Sequence, residues 1–105
     1  MENPVLYIGE PALLEMCGEE CSELAHAALK LARYDRGENP TPVNPEEVIA
    51  NLMEEAADLL IVLESLADMG TITHEGVESY MIEKKKRWVS RINNHIKNIE
   101  VLDLN

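Results

Sequence analysis

The sequence predicts an all-α fold of three long amphipathic helices per chain, which complete a four-helix or larger bundle by homo-oligomerisation. Over three long segments, apolar residues recur every three or four positions, the spacing of one face of a helix. The 105 residues include no Phe and only 4% aromatic residues, so the core is expected to be aliphatic, which favours helices over sheets. Because so short a chain cannot cover three wide apolar faces alone, a homodimer or homotetramer is expected.

The first predicted helix runs from about Pro11 to Tyr34, and Gly37 can supply the left-handed residue that ends it. Its apolar stripe, the expected core face, is Leu14, Cys17, Cys21, Leu24, Ala28 and Leu31. Positions 36–45 hold three prolines and two asparagines, a composition typical of a loop.

The second predicted helix has Asn44 as its N-cap and Pro45 at its first position, and it runs to about Met69 before Gly70. Its apolar stripe is Val48, Leu52, Ala56, Leu59, Leu63 and Leu66.

The third predicted helix begins after an N-cap at Thr73 and continues from about His74 to at least Asn98. Its apolar stripe is Val77, Met81, Trp88, Ile92, Ile96 and Ile99. The tail over about 100–105 can extend this helix, pack back on the core or stay loose. The whole chain, 1–105, is expected to form a single domain.

The composition also limits the classes of partner that the chain is expected to bind. With a formal net charge of −11, the chain would repel phosphate backbones, so no nucleic-acid polymer is expected as a partner. No run approaches the roughly 18 apolar residues of a membrane span, and no basic segment leads into an apolar one at the N-terminus. We therefore expect no membrane partner and a cytoplasmic location. Cys17 and Cys21 are expected to be reduced core residues.

The first two predicted helices each carry a pair of carboxylates three residues apart, Glu20 with Glu23 and Glu55 with Asp58. Residues at this spacing are neighbours on a helix, so each pair can bind one hard cation from one side. At about 100° per residue, both pairs lie roughly 70–140° from the centres of their stripes, in the same rotational sense. In an antiparallel helix pair they would face each other across a groove. A solvated acidic surface would explain either pair alone, but not the match between them.

The third predicted helix supplies the opposite charge, with five of the nine basic residues between positions 84 and 91. Lys84, Arg87 and Arg91 fall within an arc of about 60° beside the apolar stripe. Basic side chains next to a carboxylate–metal site can bind the oxygens of a polyphosphate that the metal leaves uncovered. Charge balance against the acidic helices is the alternative explanation.

Taken in order, these motifs resemble the MazG-like branch of the all-α nucleoside triphosphate pyrophosphatase superfamily. The family hallmark E-E-x-x-E is matched by Glu19, Glu20 and Glu23, and E-x-x-D on the next helix is matched by Glu55 and Asp58. The basic run with a downstream arginine also matches, and the similarity extends over roughly positions 13–91.

The resemblance implies an enzyme that hydrolyses nucleoside or deoxynucleoside triphosphates, damaged ones included, to the monophosphate and pyrophosphate. It implies Mg²⁺ as cofactor, with Mn²⁺ as a substitute. The implied metal ligands, which are also the catalytic residues, are Glu20, Glu23, Glu55 and Asp58. The implied contacts to the substrate phosphates are Lys84, Arg87 and Arg91.

Three alternatives remain open at this point. Phosphoribosyl-ATP pyrophosphatase belongs to the same superfamily and shares the strings at positions 18–20 and 55–60. A di-iron bundle requires Glu-x-x-His on two helices; Glu23 and His26 satisfy this once, whereas Ile61 stands three residues after Asp58. The last alternative is a non-catalytic helical oligomerisation module, which would explain the apolar stripes but not the matched carboxylates.

Overall fold

The computed structural model describes residues 7–39 and 42–104 of the chain. Over these residues it contains no strand and three α-helices: α1 (Glu10–Asp35), α2 (Pro45–Met69) and α3 (His74–Leu104). The all-α prediction is therefore confirmed, with α1 and α2 within a residue of their expected bounds. The tail extends α3 as far as Leu104, while Pro40, Thr41 and Asn105 lie outside the described residues. None of the helices, over the described residues, has an apolar stretch long enough for a bilayer span.

Two side-chain caps fix where α2 and α3 begin. Asn44 Oδ1 accepts a hydrogen bond from the Glu46 N–H at 2.9 Å, and Thr73 Oγ1 accepts one from the Gly76 N–H at 3.0 Å. Each bond satisfies an amide that has no partner within the first turn of its helix. A Cβ at Gly76 would lie 2.8 Å from Thr73 Oγ1, so the absence of a side chain there keeps the cap in place.

Left-handed glycines end the first two helices. Gly37 has a φ of +70° and Gly70 a φ of +88°. The amide after each glycine donates to the carbonyl five residues earlier, at 2.9 and 3.0 Å respectively, which is the hydrogen bond of a Schellman C-cap. The predicted ends of both helices are confirmed.

The chain divides into two compact units, Met1–Thr71 with α1 and α2, and Ile72–Asn105 with α3. Within the first unit α1 and α2 pack together. The connection from Asp35 to Pro45 has ten Cα–Cα steps and can span at most about 36 Å, whereas α2 is roughly 37 Å long. A parallel arrangement is thus out of reach, and the two helices form an antiparallel hairpin.

Each helix of the hairpin packs through one row of residues with alternating steps of four and three, which we call its inner row. In α1 the inner row is Leu13, Cys17, Glu20, Leu24, Ala27 and Leu31. In α2 it is Val48, Leu52, Glu55, Leu59, Val62 and Leu66. Every member is buried or half-buried, and the core proper is Leu13, Ala27, Val48, Val62 and Leu66, together with Ser65 beside the α2 row.

The packed face of α1 differs from the stripe expected from the sequence. Leu13 is completely buried, whereas Leu14 is 49% exposed, and Cys21 and Ala28 are also exposed. The packed face is rotated by about 50° from the predicted one. The physical reason is that apolar residues also stand one position after almost every member of the inner row. The predicted stripe therefore combined residues of two adjacent faces of α1, of which only one packs against α2.

Candidate metal centre

The corrected orientation of the helices places two glutamates inside the helix–helix contact. Glu20 and Glu55 each occupy the third position of an inner row, where every other residue is apolar or Cys. Both are half-buried. A carboxylate in such a position loses part of its hydration, which costs free energy that an aliphatic side chain would not cost. These two acids are therefore not simply a solvated helix surface.

Asp58, one turn after Glu55 on the same helix, completes a cluster. One carboxylate oxygen each of Glu20, Glu55 and Asp58 lies within 4.8 Å of the other two. Asp58 is exposed, so the cluster opens to solvent on its side. Two helices thus present three oxygen donors to one point on the surface of the hairpin.

The spacing of the three oxygens fits a small hard cation. Around an octahedral Mg²⁺ with bonds of about 2.0–2.1 Å, adjacent ligand oxygens are roughly 2.9 Å apart and opposite ones roughly 4.2 Å. Side-chain rotations that move each carboxylate oxygen by about 1 Å would bring pairs of oxygens from the present limit of 4.8 Å to those separations. The all-carboxylate donor set is also the chemistry that Mg²⁺ and Mn²⁺ prefer.

The carboxylates of the cluster repel one another, and this repulsion raises the pKa of two of them. Loss of hydration raises the pKa of Glu20, and the negative charges of Asp58, Glu23 and Glu19 raise it further. The pKa of Glu55 is raised by loss of hydration first and then by the charges of neighbouring acids. These neighbours are Glu23, Asp58, Glu20 and Glu54. Each rise in pKa means that the ionised carboxylate is disfavoured in this cluster unless a proton or a cation binds to it.

The fourth sequence-predicted ligand, Glu23, lies at the margin of the cluster. Its charge acts on both Glu20 and Glu55, yet its carboxylate is not among the three that converge within 4.8 Å. Glu23 is exposed. The structure therefore brings three of the four predicted ligands together and leaves the fourth close enough for electrostatic contact.

No cation of the protein neutralises these acids within the described part of the hairpin. The ion pair described there joins Arg36 Nε and Glu38 Oε1 at 2.8 Å, beyond the end of α1, and both side chains are well exposed. Among the described residues, the three carboxylates are also the one group of three or more His, Cys, Asp or Glu side chains that could hold a metal ion. The group contains no nitrogen or sulfur donor, which favours a hard cation over iron or zinc.

The cysteines and His26 take no part in this group. Cys17 is half-buried and Cys21 is exposed, and both thiols are free, so the expectation that both are core residues is wrong for Cys21. Its position falls one step beyond the inner row, outside the contact of α1 with α2. His26 is exposed on α1.

The basic residues predicted to bind phosphate lie together on α3. Lys84, Arg87 and Arg91 line one shallow hollow with Trp88. Trp88 was expected in the core, but 67% of its surface is exposed. The sequence already indicated an exposed position for Trp88, because Lys84 and Arg91 stand four residues before it and three residues after it on the same face of the helix.

The apolar stripe predicted for α3 is not buried. Its six members are between 44% and 67% exposed: Val77, Met81, Trp88, Ile92, Ile96 and Ile99. Periodicity shows that a helix is amphipathic, but it does not show that the apolar face is covered within the same chain.

No protein-family model, no curated protein and no solved structure matches this chain. The resemblance to the MazG-like branch accordingly rests on the motif residues and their order alone.

Proposed function

We propose that this protein is a Mg²⁺-dependent nucleotide pyrophosphohydrolase, which converts a nucleoside or deoxynucleoside triphosphate and water to the monophosphate and pyrophosphate. The observation that carries the proposal is the convergence of Glu20, Glu55 and Asp58 from two helices to within 4.8 Å. These residues also stand in the order of the MazG-like motifs that the chain resembles. A nucleotide substrate would place the activity in the cytoplasm.

The hairpin residues have a defined part in this proposal. Glu20, Glu55 and Asp58 would hold the metal, and Glu23, at the margin, would bind it directly or through water. Glu19 and Glu54 add negative charge beside the site and would act through bound water. When bound, Mg²⁺ polarises phosphate oxygens and lowers the pKa of a coordinated water. Mn²⁺ would substitute because it accepts the same oxygen donors.

The α3 residues account for the remaining charge of the substrate. A nucleoside triphosphate carries about four negative charges near neutral pH, and one Mg²⁺ offsets only two of them. In the proposal, Lys84, Arg87 and Arg91 bind phosphate oxygens through charge-assisted hydrogen bonds. Support comes from their shared hollow on α3, where three cationic groups converge.

The test is an assay of pyrophosphate release with a panel of nucleotides. The panel should contain the common and damaged nucleoside triphosphates, together with phosphoribosyl-ATP as the substrate of the alternative enzyme. Hydrolysis of at least one triphosphate is expected with Mg²⁺, and none with a chelator.

Glu55→Gln should abolish that activity, whereas Glu64→Gln, at an exposed glutamate on the same helix, should retain it. Turnover of phosphoribosyl-ATP alone would assign the alternative reaction to the same site. No turnover of any nucleotide by a folded, metal-loaded protein would contradict the proposal and favour a non-catalytic helical module.

A further inference from the structure

The two cysteines of the chain lie in one turn of α1, beside a member of the carboxylate cluster. Cys17 and Cys21 are four residues apart, so their side chains are neighbours on the helix surface. Cys17 stands three residues before Glu20, and Cys21 follows it directly. Any reaction that joins the two sulfur atoms therefore acts on the stretch of backbone that positions Glu20.

The two thiols are already in contact. Burial raises the pKa of the Cys17 thiol, and the charge of Cys21 and a hydrogen bond with its side chain raise it further. Such a hydrogen bond requires the two sulfur atoms to lie close together. Both thiols are free, and the 105 residues contain no other cysteine, so within one chain each can pair only with the other.

The two cysteines differ in accessibility. Cys21 is exposed, whereas Cys17, a member of the inner row, is half-buried. A small disulfide in solution can therefore reach the sulfur of Cys21, and the sulfur of Cys17 is close enough to complete an exchange. An accessible cysteine beside a second, resolving one is the arrangement of many redox-sensitive sites.

Bridging the two sulfur atoms requires the helix to change shape. Residues four apart on a regular helix have Cβ atoms about 5–6 Å apart, whereas a disulfide holds its Cβ atoms about 3.5–4.5 Å apart. The turn must therefore close by roughly 1–2 Å.

Gly18 makes this turn easier to deform. It stands inside the turn, and only proline stabilises a helix less than glycine does. A Cβ built at Gly18 would meet no atom within 4 Å, so no close contact explains a glycine at this position. The turn that carries both thiols thus contains the residue type that adapts most readily to a change of backbone shape.

We propose that Cys17 and Cys21 form a reversible disulfide when the chain meets a small-molecule disulfide, and that this modification weakens metal binding at the carboxylate cluster. The cluster is sensitive to such a change, because its oxygens need movements of only about 1 Å to fit Mg²⁺. A displacement of similar size in the backbone that carries Glu20 would remove that fit. The proposal rests on the cluster being the metal site of the proposed function, but it does not depend on the reaction catalysed there.

The chemistry is two successive thiol–disulfide exchanges. With oxidised glutathione, the sulfur of Cys21 bonds to one glutathione sulfur, the glutathione S–S bond breaks, and one reduced glutathione leaves. The sulfur of Cys17 then displaces the second glutathione from Cys21. The protein loses two electrons and two protons, which the two reduced glutathione molecules carry away. A strained disulfide is easily reduced, so excess reduced glutathione reverses the reaction.

Thermodynamic linkage makes the effect reciprocal. If the disulfide weakens Mg²⁺ binding tenfold, saturating Mg²⁺ lowers the equilibrium constant for disulfide formation tenfold as well. For this two-electron couple, a tenfold change raises the reduction potential of the cysteine pair by about 30 mV. Neither quantity requires turnover of a substrate.

The test is an equilibration of the full chain in glutathione buffers of known potential, with the state of the cysteines measured by mass spectrometry after alkylation. Parallel samples contain saturating MgCl₂ or NaCl at the same ionic strength. We expect an intrachain disulfide in both, with a reduction potential at least about 30 mV higher in MgCl₂. By calorimetric titration, the oxidised chain is expected to bind Mg²⁺ at least about tenfold more weakly than the reduced chain.

Variants on α2 separate the disulfide from its coupling to the metal. Asp58→Asn should form the disulfide at the same potential in both salts, because it removes a metal ligand without touching the helix that carries the cysteines. Asp68→Asn, at an exposed site on α2 outside the cluster, should keep the difference between the two salts.

Variants on α1 test the turn itself. Gly18→Ala should lower the equilibrium constant for disulfide formation by up to about fivefold, because alanine favours the regular helix. Ser22→Ala, just outside the turn, should leave it nearly unchanged. The double variant Cys17→Ser/Cys21→Ser should keep its full Mg²⁺ affinity in oxidised glutathione.

Three results would overturn the proposal. The first is a chain that forms only mixed or interchain disulfides, or none, in oxidised glutathione. The second is an intrachain disulfide that leaves the Mg²⁺ affinity unchanged. The third is a reduced chain that binds no Mg²⁺, which would contradict the proposed function as well, whereas the first two results leave that function intact.

Discussion

Asp58→Asn should remove most of the stabilisation that Mg²⁺ gives to the folded protein. The amide keeps the shape of the carboxylate but loses its charge, leaving two anionic donors of the three that lie within 4.8 Å. Even residues that only support a metal ligand change affinity 10- to 100-fold when they are replaced, so the loss of a ligand should cost at least that much.

The expected shifts follow from linkage. At a metal concentration ten times the dissociation constant, binding to the folded state alone adds about 1.4 kcal/mol to the free energy of unfolding. For a chain of this size that raises the melting temperature by about 6–11 °C. If Asp58→Asn weakens binding tenfold, the gain at the same concentration falls to about 0.4 kcal/mol and 2–3 °C. A hundredfold loss leaves less than about 0.5 °C.

The assay is thermal unfolding followed by circular dichroism, with NaCl added to match the ionic strength of each MgCl₂ sample. Matching is necessary because salt alone stabilises a chain with a net charge of −11. Asp68→Asn is the control, since Asp68 is exposed on α2 about 15 Å along the helix from Asp58. Equal Mg²⁺ shifts in the wild type and Asp58→Asn would refute the assignment of the cluster as the metal site.

Three further predictions concern protonation, phosphate binding and the hairpin core. The metal-free protein should become more stable as the pH falls from 7 through the raised pKa values towards the ordinary glutamate value of 4.5, because the folded state there binds more protons than the unfolded state. Mg²⁺ affinity should fall over the same interval, and Glu20→Gln should weaken both dependences in urea unfolding and metal titrations. Arg87→Ala and Arg91→Ala should each lower kcat/KM about 10- to 150-fold and leave the Mg²⁺ affinity nearly unchanged. Lys86→Ala, outside the hollow, should have little effect, and equal kinetics in all these variants would mean that α3 does not bind the phosphates. Leu13→Ala, at a fully buried site, should cost about 2–5 kcal/mol in urea unfolding, against about 0.5 kcal/mol for Leu29→Ala, which is 55% exposed. Similar losses at both leucines would show that α1 packs through a different face.

Local features of the fold could be read from the sequence because they depend on few residues. The caps at Asn44 and Thr73 and the left-handed Gly37 and Gly70 each need only a side chain or a glycine at the right distance from an amphipathic segment. The orientation of the helices could not be read in the same way. On each helix, the inner row and the row that begins one residue after it have the same spacing and nearly the same apolar character, so the sequence alone does not say which of them packs between α1 and α2.

The same limit applies to the candidate site. The sequence showed that both carboxylate pairs are displaced from their apolar stripes in the same rotational sense. The convergence of Glu20, Glu55 and Asp58 agrees with that observation. The sequence did not show that Glu20 and Glu55 stand within the packed rows while Glu23 lies at the margin. These positions depend on the rotation of α1 about its axis and on the length of the side chains. On α3, the arc of basic residues was visible, and the basic neighbours of Trp88 at positions 84 and 91 indicated its exposure, but its place in the apolar stripe predicted burial instead.

Product analysis by ³¹P NMR can decide whether the protein is a nucleotide pyrophosphohydrolase. A purified sample with Mg²⁺ and a hydrolysable nucleoside triphosphate is predicted to form the monophosphate and pyrophosphate in equal amounts, with no diphosphate. Glu55→Gln is predicted to form neither product, and Glu64→Gln to form both. Formation of the diphosphate and inorganic phosphate would show that a different phosphoanhydride bond is cleaved, and equal turnover by the wild type and Glu55→Gln would show that the carboxylate cluster is not the active site.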